Sequence, residues 1–134
     1  MDISGKTKLL GLLGSPVEHS LSPAMHNLAC SRLGLDYVYL AFDIKSDDIK
    51  ATLDGLRLLG ARGFNLTMPL KEAVIPYLDE LSIASQLSGS VNTVVNDDGR
   101  LIGHTTDGVG YLDSVREAGF DAKDQVISII GAGG

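Results

Sequence analysis

The sequence is poor in several things at once: it has one cysteine, no tryptophan and only 5% aromatic residues in 134. A single thiol, Cys30, cannot close an internal disulfide, so a stapled secreted scaffold is excluded and a reducing compartment is the default expectation. The first twenty residues lack the basic start and unbroken apolar block of a signal peptide, which points the same way, to the cytoplasm. No run approaches the roughly 18–20 apolar residues that a membrane span requires, because Gly, Pro and charged residues interrupt every candidate. Positive charge is also scarce. Eleven Lys and Arg stand against seventeen Asp and Glu, a net charge of −6, and the cations are scattered, so nucleic acid is a poor partner.

What remains is a composition that folds. Apolar residues make up 44% and charged residues 21%, spread along the whole chain, as in one globular domain with a real core. Strand and helix signals alternate from end to end without a repeat, which favours an α/β fold. Leu9 to Leu13 reads as a buried strand that ends at Gly14-Ser15-Pro16. Ser22 is the expected N-cap of the following helix, with Pro23 in its first turn and Gly34 at its close.

Tyr37 to Ile44 alternates as a strand, with Val38, Leu40, Phe42 and Ile44 on one face. Ser46 is expected to cap a helix whose Ile49, Leu53 and Leu56 form an apolar stripe ending near Gly60. Gly63 to Leu66 reads as another strand, Thr67-Met68-Pro69 as a helix start, and Ser82 to Leu87 as a short helix before Gly89. Val91 to Asn96 and Arg100 to Thr105 should pair as a hairpin through Asn96-Asp97-Asp98-Gly99. A helix from Asp107 to Ala118 follows, with Val109, Leu112 and Val115 expected inward. Gln125 to Ile130 then reads as a buried strand running into Gly131-Ala132-Gly133-Gly134, the way a dinucleotide-binding βαβ unit opens, with the helix missing.

Four polar clusters place hydrogen-bonding side chains beside Gly or Pro in loops at strand ends, where ligands are commonly held. In the first, Ser20 and Ser22 stand two apart at a helix start and could both donate to a carboxylate; in isolation Ser22 is read as a cap. In the second, Gly63 to Lys71, the lysine falls in the first turn of a helix. That position disfavours an ammonium and suits acid/base work, although an ordinary surface lysine is the commoner case. In the third, Asn92 stands at a strand start and could be a simple turn residue. In the fourth, Gly103 to Gly110, Asp107 could cap the next helix or take substrate hydroxyls, and capping is the reading in isolation. His26 and Cys30, one helical turn apart, are two ligands without a third and are read as packing; His19 and His104 show no ligand spacing, so no metal is expected.

Taken in order, HSLSP with His26-Asn27, GFNLTMPLK, GSVNT, GHTTDGVG and the terminal GAGG resemble the shikimate dehydrogenase family from about Leu9 to Gly134, most closely the branch that also accepts quinate. The resemblance implies a three-layer αβα substrate-binding domain with a mixed, mainly parallel sheet over residues 1–106, a connecting helix over 107–124, and the start of a Rossmann domain over 125–134. It implies that Ser20 and Ser22 hold the substrate carboxylate, and that Asn65, Thr67, Asn92 and Asp107 take ring hydroxyls. Lys71 and Asp107 become the proton-handling pair, and Gly131, Ala132, Gly133 and Gly134 the beginning of an NADP or NAD site. The implied reaction is reversible oxidation of shikimate to 3-dehydroshikimate on the route to aromatic amino acids. Thr105 departs from the family's usual Asn and bears on substrate preference.

On this reading the chain supplies the substrate half of a dehydrogenase that stops as its nucleotide domain begins, and alone it is expected to be inactive. Monomer and homodimer stay open. A non-catalytic binding domain for a hydroxylated cyclic carboxylate is the alternative. A dehydrogenase acting on a folate derivative is disfavoured, since a pterin pocket calls for stacking aromatics.

Overall fold

The computed structural model describes residues 3–131. Six strands form one sheet in the order β2-β1-β3-β5-β6-β4. They are β1 (Lys8–Gly14), β2 (Tyr37–Asp43), β3 (Gly63–Leu66), β4 (Glu80–Leu81), β5 (Thr93–Asp97) and β6 (Arg100–His104). β1 runs parallel to both β2 and β3, β5 is antiparallel to β3 and to β6, and β4 is parallel to β6. The helices are α1 (Ser22–Arg32), α2 (Ile49–Leu58), α3 (Leu70–Ala73), α4 (Ile83–Ser88) and α5 (Asp107–Glu117). The expected α/β class with a mixed, mainly parallel sheet is what the chain forms.

Period-two alternation splits β1 between two apolar layers. Leu13 joins Leu53 and Leu56 of α2, Leu70 of α3, and Val94 and Leu101 of the hairpin in the larger core. Leu12, on the other face, packs with Val17 and Tyr39 in a smaller one. The stripe read in α2 is buried as expected, with Ile49 and Leu53 each 2% exposed. The β5–β6 hairpin turns through Asp98 and Gly99, whose φ values of 49° and 91° are those of a tight primed turn. Inside it, buried Asn96 donates to the carbonyl of Ala61 (2.8 Å) and accepts from the amide of Gly99 (2.7 Å), so its nitrogen and its oxygen each have a partner.

Several local expectations are corrected. Ser22 is not the cap of α1: Leu21 holds that position, and Ser20 Oγ instead accepts from the Ser22 amide at 3.2 Å. Ser46 opens a single 3-10 turn, Ser46–Asp48, and its side chain caps nothing; Asp48 stands at the N-cap of α2, also without a side-chain bond. Ser82, by contrast, caps α4 by accepting from the Ser85 amide, and Gly89 ends that helix at φ 65°. In β2 the shared face holds in part: Phe42, and Ile44 just past the strand, pack against the larger core, and Leu40 does not. Tyr39 is 2% exposed while Leu40 is 45% exposed, because a sheet with apolar layers on both sides does not mark its inner face by alternation alone.

The largest departures lie after β6. Val109 and Leu112 of α5 are 62% and 40% exposed, and no residue of that helix is buried. Gln125 to Ile130 forms no strand, and Ile130 is fully exposed. A strand needs a neighbouring strand to take its N–H and C=O groups, and an apolar helix stripe needs a facing surface. Among the described residues neither is present.

Candidate active site at the carboxyl edge of the sheet

Topology brings the four polar clusters to one edge. β1 and β3 are parallel neighbours, so the loops that follow them emerge together. β5 is antiparallel to β3 and begins where β3 ends, and the end of β6 returns to that point because Thr93 pairs with His104. The loops after β1, β3 and β6 and the one before β5 therefore share the carboxyl end of the parallel strands, the usual place for a ligand in an open α/β sheet.

The first two loops are stitched directly. The Ser15 amide donates to the Met68 carbonyl, and the Thr67 amide to the Leu13 carbonyl, both at 2.9 Å. Gly14 permits this approach, since a Cβ there would lie 2.2 Å from the Thr67 methyl and 2.9 Å from the Met68 carbonyl.

Around Asn92 the bonds converge further. Its Nδ2 donates to Asp107 Oδ1 (2.7 Å) and to Thr106 Oγ1 (2.8 Å), and its Oδ1 accepts from the Thr106 amide (3.1 Å) and from Thr93 Oγ1 (3.0 Å). Both donors and both lone pairs of the carboxamide are thereby used. The other carboxylate oxygen of Asp107 accepts from Lys71 Nζ at 2.6 Å. Lys71 is 23% exposed at its side chain and Asp107 51%, so the ion pair is reachable from solvent at the lip of the sheet.

This geometry changes two sequence arguments. Asp107 does not cap α5; Thr106 holds the cap position without a side-chain bond, and the Asp107 carboxylate is spent on Lys71 and Asn92. Lys71 does lie in a helix, but α3 has only four residues and carries little macrodipole. What addresses its ammonium is the facing carboxylate.

On β3, Asn65 Nδ2 donates to Thr93 Oγ1 (3.0 Å) and to the Asn92 carbonyl (3.2 Å), while Oδ1 accepts from the Tyr39 hydroxyl (2.8 Å). Asn65, Asn92, Lys71 and Asp107 are thus one hydrogen-bonded group. Thr67 stands beside it without a hydrogen bond to it, its amide donating to the Leu13 carbonyl and its carbonyl accepting from the Leu70 amide. Ser20 and Ser22 sit on the adjacent loop, both partly buried, and no hydrogen bond ties them to the group. Tyr39, Thr93 and Thr106 belong to the network and were not singled out from sequence. Of these, Thr93 and Thr106 adjoin residues that were, and Tyr39 carried no local signal. His26 stacks on Tyr39 and Cys30 is a buried free thiol, so that pair does pack. No group of three metal-ligating side chains forms among the described residues.

Of the glycines expected to open a nucleotide site, Gly131 has φ +90°, and Ala132, Gly133 and Gly134 lie outside the described residues. With no strand before Gly131, the described residues do not make a dinucleotide cradle.

The molecule is thus an α/β ligand-binding domain with a lysine–carboxylate pair at the carboxyl edge of its sheet. Residues 12–94 match the shikimate dehydrogenase substrate binding domain, and the chain belongs to that family. A curated relative, the shikimate dehydrogenase (NADP(+)) of Streptococcus uberis, is 53% identical over 98% of this chain and 45% of its own length. The solved shikimate 5-dehydrogenase of Listeria monocytogenes, in complex with shikimate and NAD, superposes with a TM-score of 0.87 at 53% identity, over 90% of this chain and 42% of that one. The ligand-free 5-ketofructose reductase of a Gluconobacter strain superposes at 0.81 with 32% identity, over 85% and 41% of the two chains. The chain spans about half the length of the curated relatives it matches.

Proposed function

We propose that this chain is the substrate-binding domain of a shikimate dehydrogenase that works with NADP or NAD in the cytoplasm and takes shikimate, and quinate as a second substrate. The observation that carries the reading is the Lys71–Asp107 pair at 2.6 Å, braced by Asn92 at the carboxyl edge of the sheet. Two relatives at 53% identity are named for shikimate, one as its dehydrogenase and one, of the same fold, in complex with it, which supports the substrate class.

In this proposal Ser20 and Ser22 donate to the substrate carboxylate beside the start of α1, where unpaired helix amides also favour an anion. Asn65, Thr67, Asn92 and Asp107 address the ring hydroxyls. Because the Asn92 carboxamide is already committed, a hydroxyl reaches it by replacing one of its present partners, of which Thr106 and Asp107 are both exposed. The bound nicotinamide supplies hydride exchange at the carbon. Lys71 handles the proton at the oxygen: its neutral amine accepts from the reacting hydroxyl in oxidation, and its ammonium donates to the forming alkoxide in reduction. Asp107 keeps Nζ in place and balances its charge. Residues 1–106 form the substrate domain in this scheme, 107–124 the connection, and 125–134, with Gly131 to Gly134, the opening of the nucleotide domain.

Calorimetric titration of the chain with shikimate tests the reading. Saturable binding that weakens in the Ser20→Ala/Ser22→Ala variant is expected. If the folded chain binds no shikimate and the full-length gene product does not oxidise it with either nicotinamide nucleotide, the proposal falls.

A further inference from the structure

We infer that Tyr39 is a positioning residue of this site, its hydroxyl fixing the Asn65 carboxamide so that Asn65 presents an acceptor, and only an acceptor, to the substrate. The inference rests on the shikimate-site reading above and adds to it a residue from an edge strand that none of the site motifs contains.

Tyr39 is held at three points. Its ring stacks on His26 of α1 with centroids 4.3 Å apart and planes within 13°. Its backbone, on the free edge of β2, is clamped by Asn27, which donates to the Tyr39 carbonyl (2.9 Å) and accepts from the Tyr39 amide (2.8 Å). Its hydroxyl donates to Asn65 Oδ1 at 2.8 Å. Burial pushes the phenol up to about 12, so it stays protonated and remains a donor across the working pH range.

The consequence for Asn65 follows from counting. Both Nδ2 hydrogens go to the Asn92 carbonyl and Thr93 Oγ1, and one Oδ1 lone pair goes to Tyr39. One lone pair is left. A flipped carboxamide would set Oδ1 against the Asn92 carbonyl, acceptor against acceptor, so the orientation is determined at both ends. A substrate group meeting Asn65 must therefore donate, as a hydroxyl does and a ketone oxygen does not. The same contacts link α1, which begins at Ser22, to the carboxamide on β3. The part of the site assigned to the carboxylate and the part assigned to the hydroxyls are thus tied through one tyrosine.

The test is Tyr39→Phe in the full-length protein, alone and combined with Asn65→Ala, with steady-state kinetics on shikimate. Phenylalanine keeps the stack on His26 and removes only the hydroxyl. The expected result is a KM for shikimate raised about five- to tenfold with kcat changed less than about threefold, and little further effect of Tyr39→Phe once Asn65 is alanine. An unchanged KM, or an effect equally large without Asn65, overturns the inference. Wild-type turnover of shikimate reports separately on the broader reading. Should Tyr39→Phe not fold, or wild type not turn over shikimate, the exchange of the Asn65 side-chain amide protons in the wild-type chain by NMR decides. Exchange of both protons with solvent far slower than in a free carboxamide supports the assignment, and exchange at the free rate overturns it.

Discussion

The loops at the carboxyl edge and the segment after β6 make opposite use of similar raw material. The edge is built from small polar side chains of low packing value, yet Asn65, Asn92, Thr93, Thr106, Asp107 and Lys71 satisfy one another and hold a defined geometry. The segment from Val109 to Ile130 is rich in apolar side chains that ordinarily drive burial, and it leaves Tyr111, Phe120 and Ile129 largely exposed. Apolar pattern states a need for a partner surface, whereas a hydrogen-bond network among neighbouring loops closes on itself. The first depends on what lies opposite; the second depends on the sheet that gathers the loops.

The comparison is broken most severely at Lys71. Lys71→Ala in the full-length protein should lower kcat for shikimate oxidation by about 10²- to 10⁴-fold, the span usual for loss of a positioned acid/base, while the chain keeps its unfolding midpoint. Steady-state kinetics beside urea denaturation checks both halves. Next comes one residue type in the two regions. Leu101→Ala empties a fully buried site in the hairpin and should cost about 2–5 kcal/mol in urea unfolding of this chain, whereas Leu112→Ala on α5 should stay within about 0.5 kcal/mol. Equal losses would mean that α5 is packed in solution.

Smaller again is the serine pair: Ser20→Ala/Ser22→Ala should weaken shikimate binding about tenfold or more, as expected for two hydroxyls lost from a carboxylate, with little change in fold. The smallest effect is alkaline. The folded chain holds the Tyr39 proton up to about 12 while an unfolded tyrosine releases it near 10. The resulting stability is full below the unfolded value and is lost as pH rises from there through the folded one, so Tyr39→Phe should flatten that part of the unfolding profile.

Local chemistry was legible where residues speak for themselves. The α2 stripe, the span of β3, the hairpin turn at Asp98-Gly99 and the end of α4 at Gly89 all follow from spacing and turn residues. The exposure of Leu40 on β2 was not legible, because alternation does not say how far along an edge strand the covering layer reaches. Nor were the caps at Ser22 and Ser46, where the backbone of the preceding residue takes the N-cap position and leaves the hydroxyl unused for capping.

By itself the sequence determined an α/β chain, the loops that carry polar side chains beside Gly and Pro, and the identity of Lys71 and Asp107 as candidates, since each of these rests on residues close together along the chain. Only the tertiary structure decided that Asp107 faces Lys71 and Asn92 rather than capping its own helix, and that Tyr39 reaches Asn65. The physical reason is the strand order: pairing β3 with both β1 and β5 sets side by side groups separated by tens of residues, a relation that no local spacing records.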